Sequence, residues 1–305
     1  MKKTLGAGGR LVWAAGVAAI LVLAGCAAKT TSPGVAVTPA PRPAVKSPAG
    51  LVLEHKMPDG QVLEYEEKQE AREVGEVMGQ TRESVSIATS ALSFRAKGLR
   101  GKDYLLGVTI DDMALNITNA GGDLSPDLTP VRGESFDMTL SPLGIEVDVS
   151  AAEAITFEMV NGTRNVASGF KLFFPDLPAQ AVKVGDSWPS SAVVEDKAGM
   201  TEIRLEFQSV NTLEGFETVD GMECARIISK TTGTMSGTGS QEGADLLFGG
   251  TIKGTDVWYF AVKEGLYVKS TSDSVTVMTI SVTGPMTLTI PTTQTRKGEV
   301  KLVGR

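Results

Sequence analysis

The chain has 305 residues, with 29 basic against 36 acidic side chains, a formal charge of −7 and two cysteines. An acidic balance excludes the basic stripe that nucleic-acid binding needs, and it argues against a polybasic membrane patch. So few cysteines exclude a disulfide framework, so the chain must rely on a hydrophobic core, for which its length suffices.

Residues 1–25 have the order of an export signal. Lys2, Lys3 and Arg10 form a positive start, Leu11 to Leu23 is uncharged and apolar, and the small residues Ala24 and Gly25 follow. The apolar stretch is short for a membrane span, which takes about 20 residues. Leu23-Ala24-Gly25-Cys26 resembles the bacterial lipobox. That resemblance implies cleavage between Gly25 and Cys26 and attachment of diacylglycerol, with palmitate-type chains, to the Cys26 thiol. Two or three acyl chains make a stable anchor, since each buried methylene contributes about 0.8 kcal/mol.

The chain is therefore expected to be a lipoprotein of the cell envelope, held to a membrane through the lipid on Cys26. Ala27, in place of an aspartate, permits an outer-membrane position facing the periplasm in a two-membrane bacterium. The mature chain would carry 26 basic and 36 acidic residues, a charge of −10. With Cys26 a thioether, Cys224 has no disulfide partner; it precedes an apolar run and reads as a small buried hydrophobe.

Residues 26–50 form a linker containing Pro33, Pro39, Pro41, Pro43 and Pro48 and no aromatic residue. Such a stretch cannot bury enough surface to fold, and partly extended it spans up to roughly 70 Å. Residues 51–305 form the folded region, with 51–175 and 176–305 as possible halves.

From Leu51 the apolar period is mostly two. The runs are Val85/Ile87/Thr89, Met113/Leu115/Ile117, Phe136/Met138/Leu140, Ile145/Val147/Val149, Ile203/Leu205/Phe207, Trp258/Phe260, Val275/Val277 and Met286/Leu288/Ile290. They predict half-buried strands of an antiparallel, curved sheet. Turns fall at Asp59-Gly60, Asn119 to Gly122, Asn161-Gly162, Asp220-Gly221 and Lys263 to Gly265. Glu64 to Glu83 has helical composition, but Gly75 and Gly79 weaken that, and a long solvent-facing strand pair is preferred. Ser150-Ala151-Ala152-Glu153 matches a capping box, so a helix of two or three turns is plausible over Ala151 to Val160, although Ile155, Phe157 and Met159 also alternate. Gly133 to Val147 matches Gly254 to Val268 at an offset of 121 residues, each a strand, a glycine turn and a second strand. A duplication would require the same hairpin register in both.

Phe173-Phe174-Pro175-Asp176-Leu177-Pro178 leads into Val182-Lys183-Val184-Gly185-Asp186-Ser187-Trp188. This arrangement resembles a hinge in uncharacterised bacterial lipoproteins of an all-β half-barrel kind, and the likeness extends loosely over Thr201 to Val303, including Gly265-Leu266-Tyr267-Val268. Those proteins look broadly like the LolA and LolB carriers, in which a curved sheet holds acyl chains against a helix. The resemblance implies a mainly β fold with at most one or two short helices, and it assigns no binding residues. Read alone, Trp188 plugs one end of the sheet with its indole N–H on a backbone carbonyl.

No grouping of catalytic chemistry stands out. His55 is the only histidine and lies near the linker, where weak order is expected; no metal-binding, nucleophile-elbow or phosphate-loop pattern occurs. Gly233 to Gly239 reads as a strand connection, and Asp111-Asp112 and Asp123 to Asp127 as acidic loops without calcium spacing. No cofactor, metal site or catalytic residue is expected, and the chain is read as non-enzymatic. Two roles remain: binding of lipid or another hydrophobic ligand, favoured by Met113, Met138, Met159 and Met278, or docking of another envelope protein. A sheet core filled by the chain itself favours the second, and an open apolar cavity the first.

Overall fold

A computed structural model of the chain describes residues 50–159, 162–241, 243–284 and 287–305. The expected signal, the Gly25/Cys26 junction and nearly all of the linker lie outside the described residues, as do Asn161 and Met286.

The fold is mainly β, as the period of two predicts. Its strands are β1 (Val62–Val77), β2 (Gln80–Arg100), β3 (Asp103–Asn119), β4 (Gly122–Asp123), β5 (Ser135–Leu140), β6 (Glu146–Asp148), β7 (Thr156–Met159), β8 (Gly162–Asn165), β9 (Ser187–Ala198), β10 (Thr201–Val219), β11 (Met222–Gln241), β12 (Ala244–Ala261), β13 (Leu266–Thr283) and β14 (Leu288–Gly304). They form one antiparallel half-barrel in the order β6-β5-β3-β2-β1-β14-β13-β12-β11-β10-β9, with β4 beside β3. A separate hairpin pairs β7 with β8. Most neighbours are joined by hairpins, and the pairing of β1 with β14 joins the two runs into one sheet.

The strands are long. The 21 residues of β2 extend about 70 Å at about 3.3 Å each, against a usual strand of about 5–6 residues. Glu64 to Glu83 is a strand pair, as preferred: Val77 faces Gln80 across a turn in which Met78 and Gly79 both have positive φ, 52° and 74°. Glu64, Glu66, Lys68, Glu70 and Arg72 of β1 point outward into water, which accounts for much of the helix-like composition.

Several expectations are corrected. Ser150–Ala154 is a single 3-10 turn, not a longer helix, and the strand β7 follows it. The Ser150 hydroxyl donates to Asp148 at 2.7 Å and does not cap the turn. Gly233 to Gly239 lies inside β11, where Cβ atoms on Gly233 and Gly237 would meet backbone oxygens of β10 at 2.7 and 2.5 Å; close strand approach explains these glycines. Asp111 and Asp112 lie within β3 at a bulge opposite Ala91 and Leu92, where Asp112 pairs with Arg132 at 2.8 Å. The two matching hairpins differ in register: Leu140 faces Glu146, whereas Ala261 faces Leu266 rather than Tyr267. They share the turn glycine, with φ of 86° at Gly144 and 71° at Gly265, and not the pairing.

One end of the half-barrel is filled by the chain's own connections. Phe170, Phe173, Phe174 and Leu177, between β8 and β9, are buried against Leu63, Tyr65, Phe94, Leu106, Val108, Phe260 and Tyr267 of the sheet. The rings of Tyr65, Phe94, Phe173 and Phe174 meet mostly edge-on at 4.9–6.1 Å, a geometry that contributes about 0.5–1.5 kcal/mol per pair beyond burial. The segment before β1 crosses the same end. His55 N–H donates to Pro142 O at 2.8 Å and Lys56 N–H to Gly265 O at 3.0 Å, so adjacent residues tie together two distant hairpin turns.

Candidate functional site

The concave face has three levels, set by what alternates inward. The filled end is aromatic and aliphatic. The far end of β9–β14 buries Val194, Ile203, Leu205, Phe207, Met235, Phe248, Met278, Ile280 and Val282. Between them the inward positions turn small and polar. Ser209 and Asn211 on β10, Ser229 and Thr231 on β11, Thr276 on β13, and Thr292 and Gln294 on β14 are all buried. Opposite them, β2 turns Ser84, Ser86, Ala88 and Ser90 inward. Val85, Ile87, Val275 and Val277 therefore lie on the outer face, contrary to the half-buried reading, with Val277 55% exposed.

The polar level encloses a chamber of about 100 Å³. The space exists because the inward positions of three adjacent strands are tiny: Gly254 on β12, Ser270, Ser272 and Ser274 on β13, and Gly298 on β14. Glu67 and Gln69 line it from β1, Asn211 and Thr231 from β10 and β11, and Arg296 from β14. Trp258, Tyr267 and Phe173 bound it on the side of the filled end.

Glu67 is held in place by its neighbours. It accepts from Gln69 Nε2 at 2.6 Å and from Ser90 Oγ at 3.1 Å. Burial raises its pKa above the ordinary carboxylate value; the two hydrogen bonds and the Arg296 charge oppose that rise. The same Gln69 side chain, 7% exposed, leaves Oε1 without a hydrogen-bond partner. Further along β1, Glu73 accepts from Gln294 at 3.3 Å and is raised to about 7 by burial. Asn211 accepts from Ser229 and donates to Ser190 at 3.0 Å, while Trp258 donates to Ser229 at 2.8 Å.

The residues picked out from sequence fall as follows. Trp188 donates its indole N–H to Asp176 O at 3.0 Å and packs edge-on to Trp258, as expected for a plug. Cys224 is fully buried, and burial raises its thiol to about 11. Met113, Met138 and Met278 fill the core. His55, expected in weakly ordered chain, is 1% exposed between the rings of Phe174 and Phe260, and both its nitrogens lack partners. Burial lowers its pKa to about 3. Among the described residues no group of three or more metal-ligating side chains occurs. Glu67, Gln69 and Arg296 were not singled out; the signal was the alternation Ser270-Thr271-Ser272-Asp273-Ser274, which reads as exposed until the chain is folded.

The outer face bears charges along its length, including Glu202, Arg204 and Glu206 on β10 as well as those of β1. A membrane-spanning barrel instead carries an apolar outer band about 25 Å tall. Among the described residues no helix is long and apolar enough to cross a membrane.

No family model matches the chain, and no curated protein matches it. Its similarities are to solved structures and are remote. An outer membrane channel from Pseudomonas putida F1 is 8% identical, with 82% of this chain and 97% of that one covered, at a TM-score of 0.24. A putative exported protein with YmcC-like fold from Bacteroides fragilis is 11% identical over the same shares, also at 0.24. A DUF1329 family protein from Desulfovibrio piger is 12% identical, covering 79% of this chain and 87% of that one, at 0.15.

Proposed function

We propose that this chain is a lipoprotein of the bacterial cell envelope, anchored through Cys26, whose half-barrel serves as a structural or assembly module rather than as a lipid carrier. The observation that carries this reading is the filling of one end of the concave face by Leu53 to Met57 and Phe170 to Leu177. An acyl chain bound in a half-barrel needs an apolar space of about 300 Å³ or more. Here the chamber of about 100 Å³ is too small for one, and a second groove of about 460 Å³ is flanked by the charges of Arg72, Lys253, Asp273 and Lys297. Neither suits a hydrocarbon chain.

The described chain starts at Gly50, packed on Ala181, and its last strand ends at Gly304 beside Glu64. Residue 50 thus sits at the filled end, so an anchor at Cys26 would tether that end. The long charged outer face would remain open to a protein partner, with the linker raising its effective concentration near the membrane. Crosslinking in cells should trap a specific envelope protein, and the purified domain should carry no lipid besides its own anchor. Capture of abundant porins alone, or co-purification of a free lipid seen by native mass spectrometry, would overturn the assembly reading.

A further inference from the structure

The chamber in the polar level is used by neither anchoring nor assembly. Its charged groups are engaged within the chain. Glu67 accepts from Gln69 and Ser90, Glu299 pairs with Lys269 at 3.1 Å, and Asp176, Asp256 and Arg296 also have partners. Most of its wall is apolar: Phe173, Trp258 and Tyr267 close it toward the filled end, and Leu172, Phe207 and Ile252 toward the far cluster. The polar groups left over are neutral. Ser272 and Ser274 on β13 line the chamber half-buried, and among the described residues neither hydroxyl has a hydrogen-bond partner. Two glycines keep the space beside them open. A Cβ on Gly298 would lie 2.5 Å from Ser272 Oγ, and one on Gly254 would lie 3.2 Å from Ser274 Cβ.

We propose that this chamber is a binding site for a small neutral molecule with an apolar ring or short chain and one hydroxyl group, of about the size of phenol. Its hydroxyl would meet Ser272 and Ser274, and its carbon body the aromatic and aliphatic walls. On the scale at which one water takes about 10–15 Å³, the chamber's 100 Å³ holds roughly seven to ten heavy atoms, which excludes a lipid. A guest without a hydroxyl would displace water from two serines and return no hydrogen bond. A charged guest would give up its hydration for a wall whose charges are already engaged.

The test is calorimetric titration of the full chain in detergent, against a detergent blank, with four probes of similar shape: phenol, toluene, the benzylammonium cation and the benzoate anion. Phenol should bind saturably at one per chain and about fivefold more tightly than toluene, with no saturable heat from either ion. Replacing both serines, Ser272→Ala with Ser274→Ala, should bring phenol down to the level of toluene. Ser274→Leu should fill the chamber and abolish binding, while Thr279→Ala, on the outer face of the same strand, should leave it unchanged. No saturable heat from phenol, as for a chamber that holds only water, would overturn the proposal. So would toluene or either ion binding as tightly as phenol, or phenol binding that survives Ser274→Leu. The comparison of the four probes on the unaltered chain decides the question even where a variant fails to fold.

Discussion

His55 gives the sharpest test of the packing. Its imidazole is buried between two phenylalanine rings with neither nitrogen hydrogen-bonded, and its pKa falls from 6.5 to about 3. The folded pKa lies below the unfolded one, so the neutral ring's contribution is whole above pH 6.5 and is lost as pH falls toward 3. At about 1.36 kcal/mol per pKa unit, moving from pH 7 to pH 4.5 removes about 2.5 kcal/mol through this residue alone. His55→Leu keeps an apolar body in the site and removes the titrating group. The variant is expected to equal or exceed the parent at pH 7, because two unsatisfied nitrogens leave the core. At pH 4.5 the parent should fall behind by about a further 2.5 kcal/mol. Urea unfolding of both chains at the two pH values measures this, and their difference cancels the carboxylates they share. An identical pH dependence in parent and variant would refute the reasoning and place His55 in contact with water.

Glu73 has the opposite sign: its folded pKa is raised to about 7, so its contribution is whole below about pH 4.5 and is lost as pH rises through 7. Glu73→Gln should therefore remove up to about 2.5 kcal/mol of destabilisation between pH 5 and 8, read from the same urea curves. Phe174→Ala should cost about 3–5 kcal/mol in unfolding free energy, whereas Val277→Ala should stay within about 0.5, the two together testing which face of the sheet is core. Gly144→Ala would place a Cβ 2.2 Å from Pro175 O at a φ of 86°, so thermal melting should fall sharply, and further than for the same change at Gly60, which shares the left-handed φ, 82°, but has nothing within 4 Å. Cys26→Ala should move the chain from the membrane to the soluble fraction or leave its precursor uncut; normal processing with membrane retention would defeat the anchor reading.

The period of two, the Thr and Val content and the Asp-Gly and glycine turns determined by themselves that this is a sheet protein, and where the hairpins β10–β11 and β12–β13 turn. Local chemistry sufficed there, because a strand's alternation and a turn's positive φ are properties of a few neighbouring residues. Trp188 was legible for the same reason: a large ring with one donor needs burial and one carbonyl. Which face of each strand turns inward was decided only by the tertiary structure. In β2 and β13 the β-branched residues face water and the serines face the chamber, because the curvature of the sheet and the plug from Phe170 to Leu177 set what each level must fit. His55 went the same way. Nothing near it in sequence marks it as core; it is buried because its backbone ties the turns at Gly144 and Gly265, which lie 121 residues apart. The chamber likewise joins β1 to β10–β14, and contacts across such separations leave no periodic trace in any one segment.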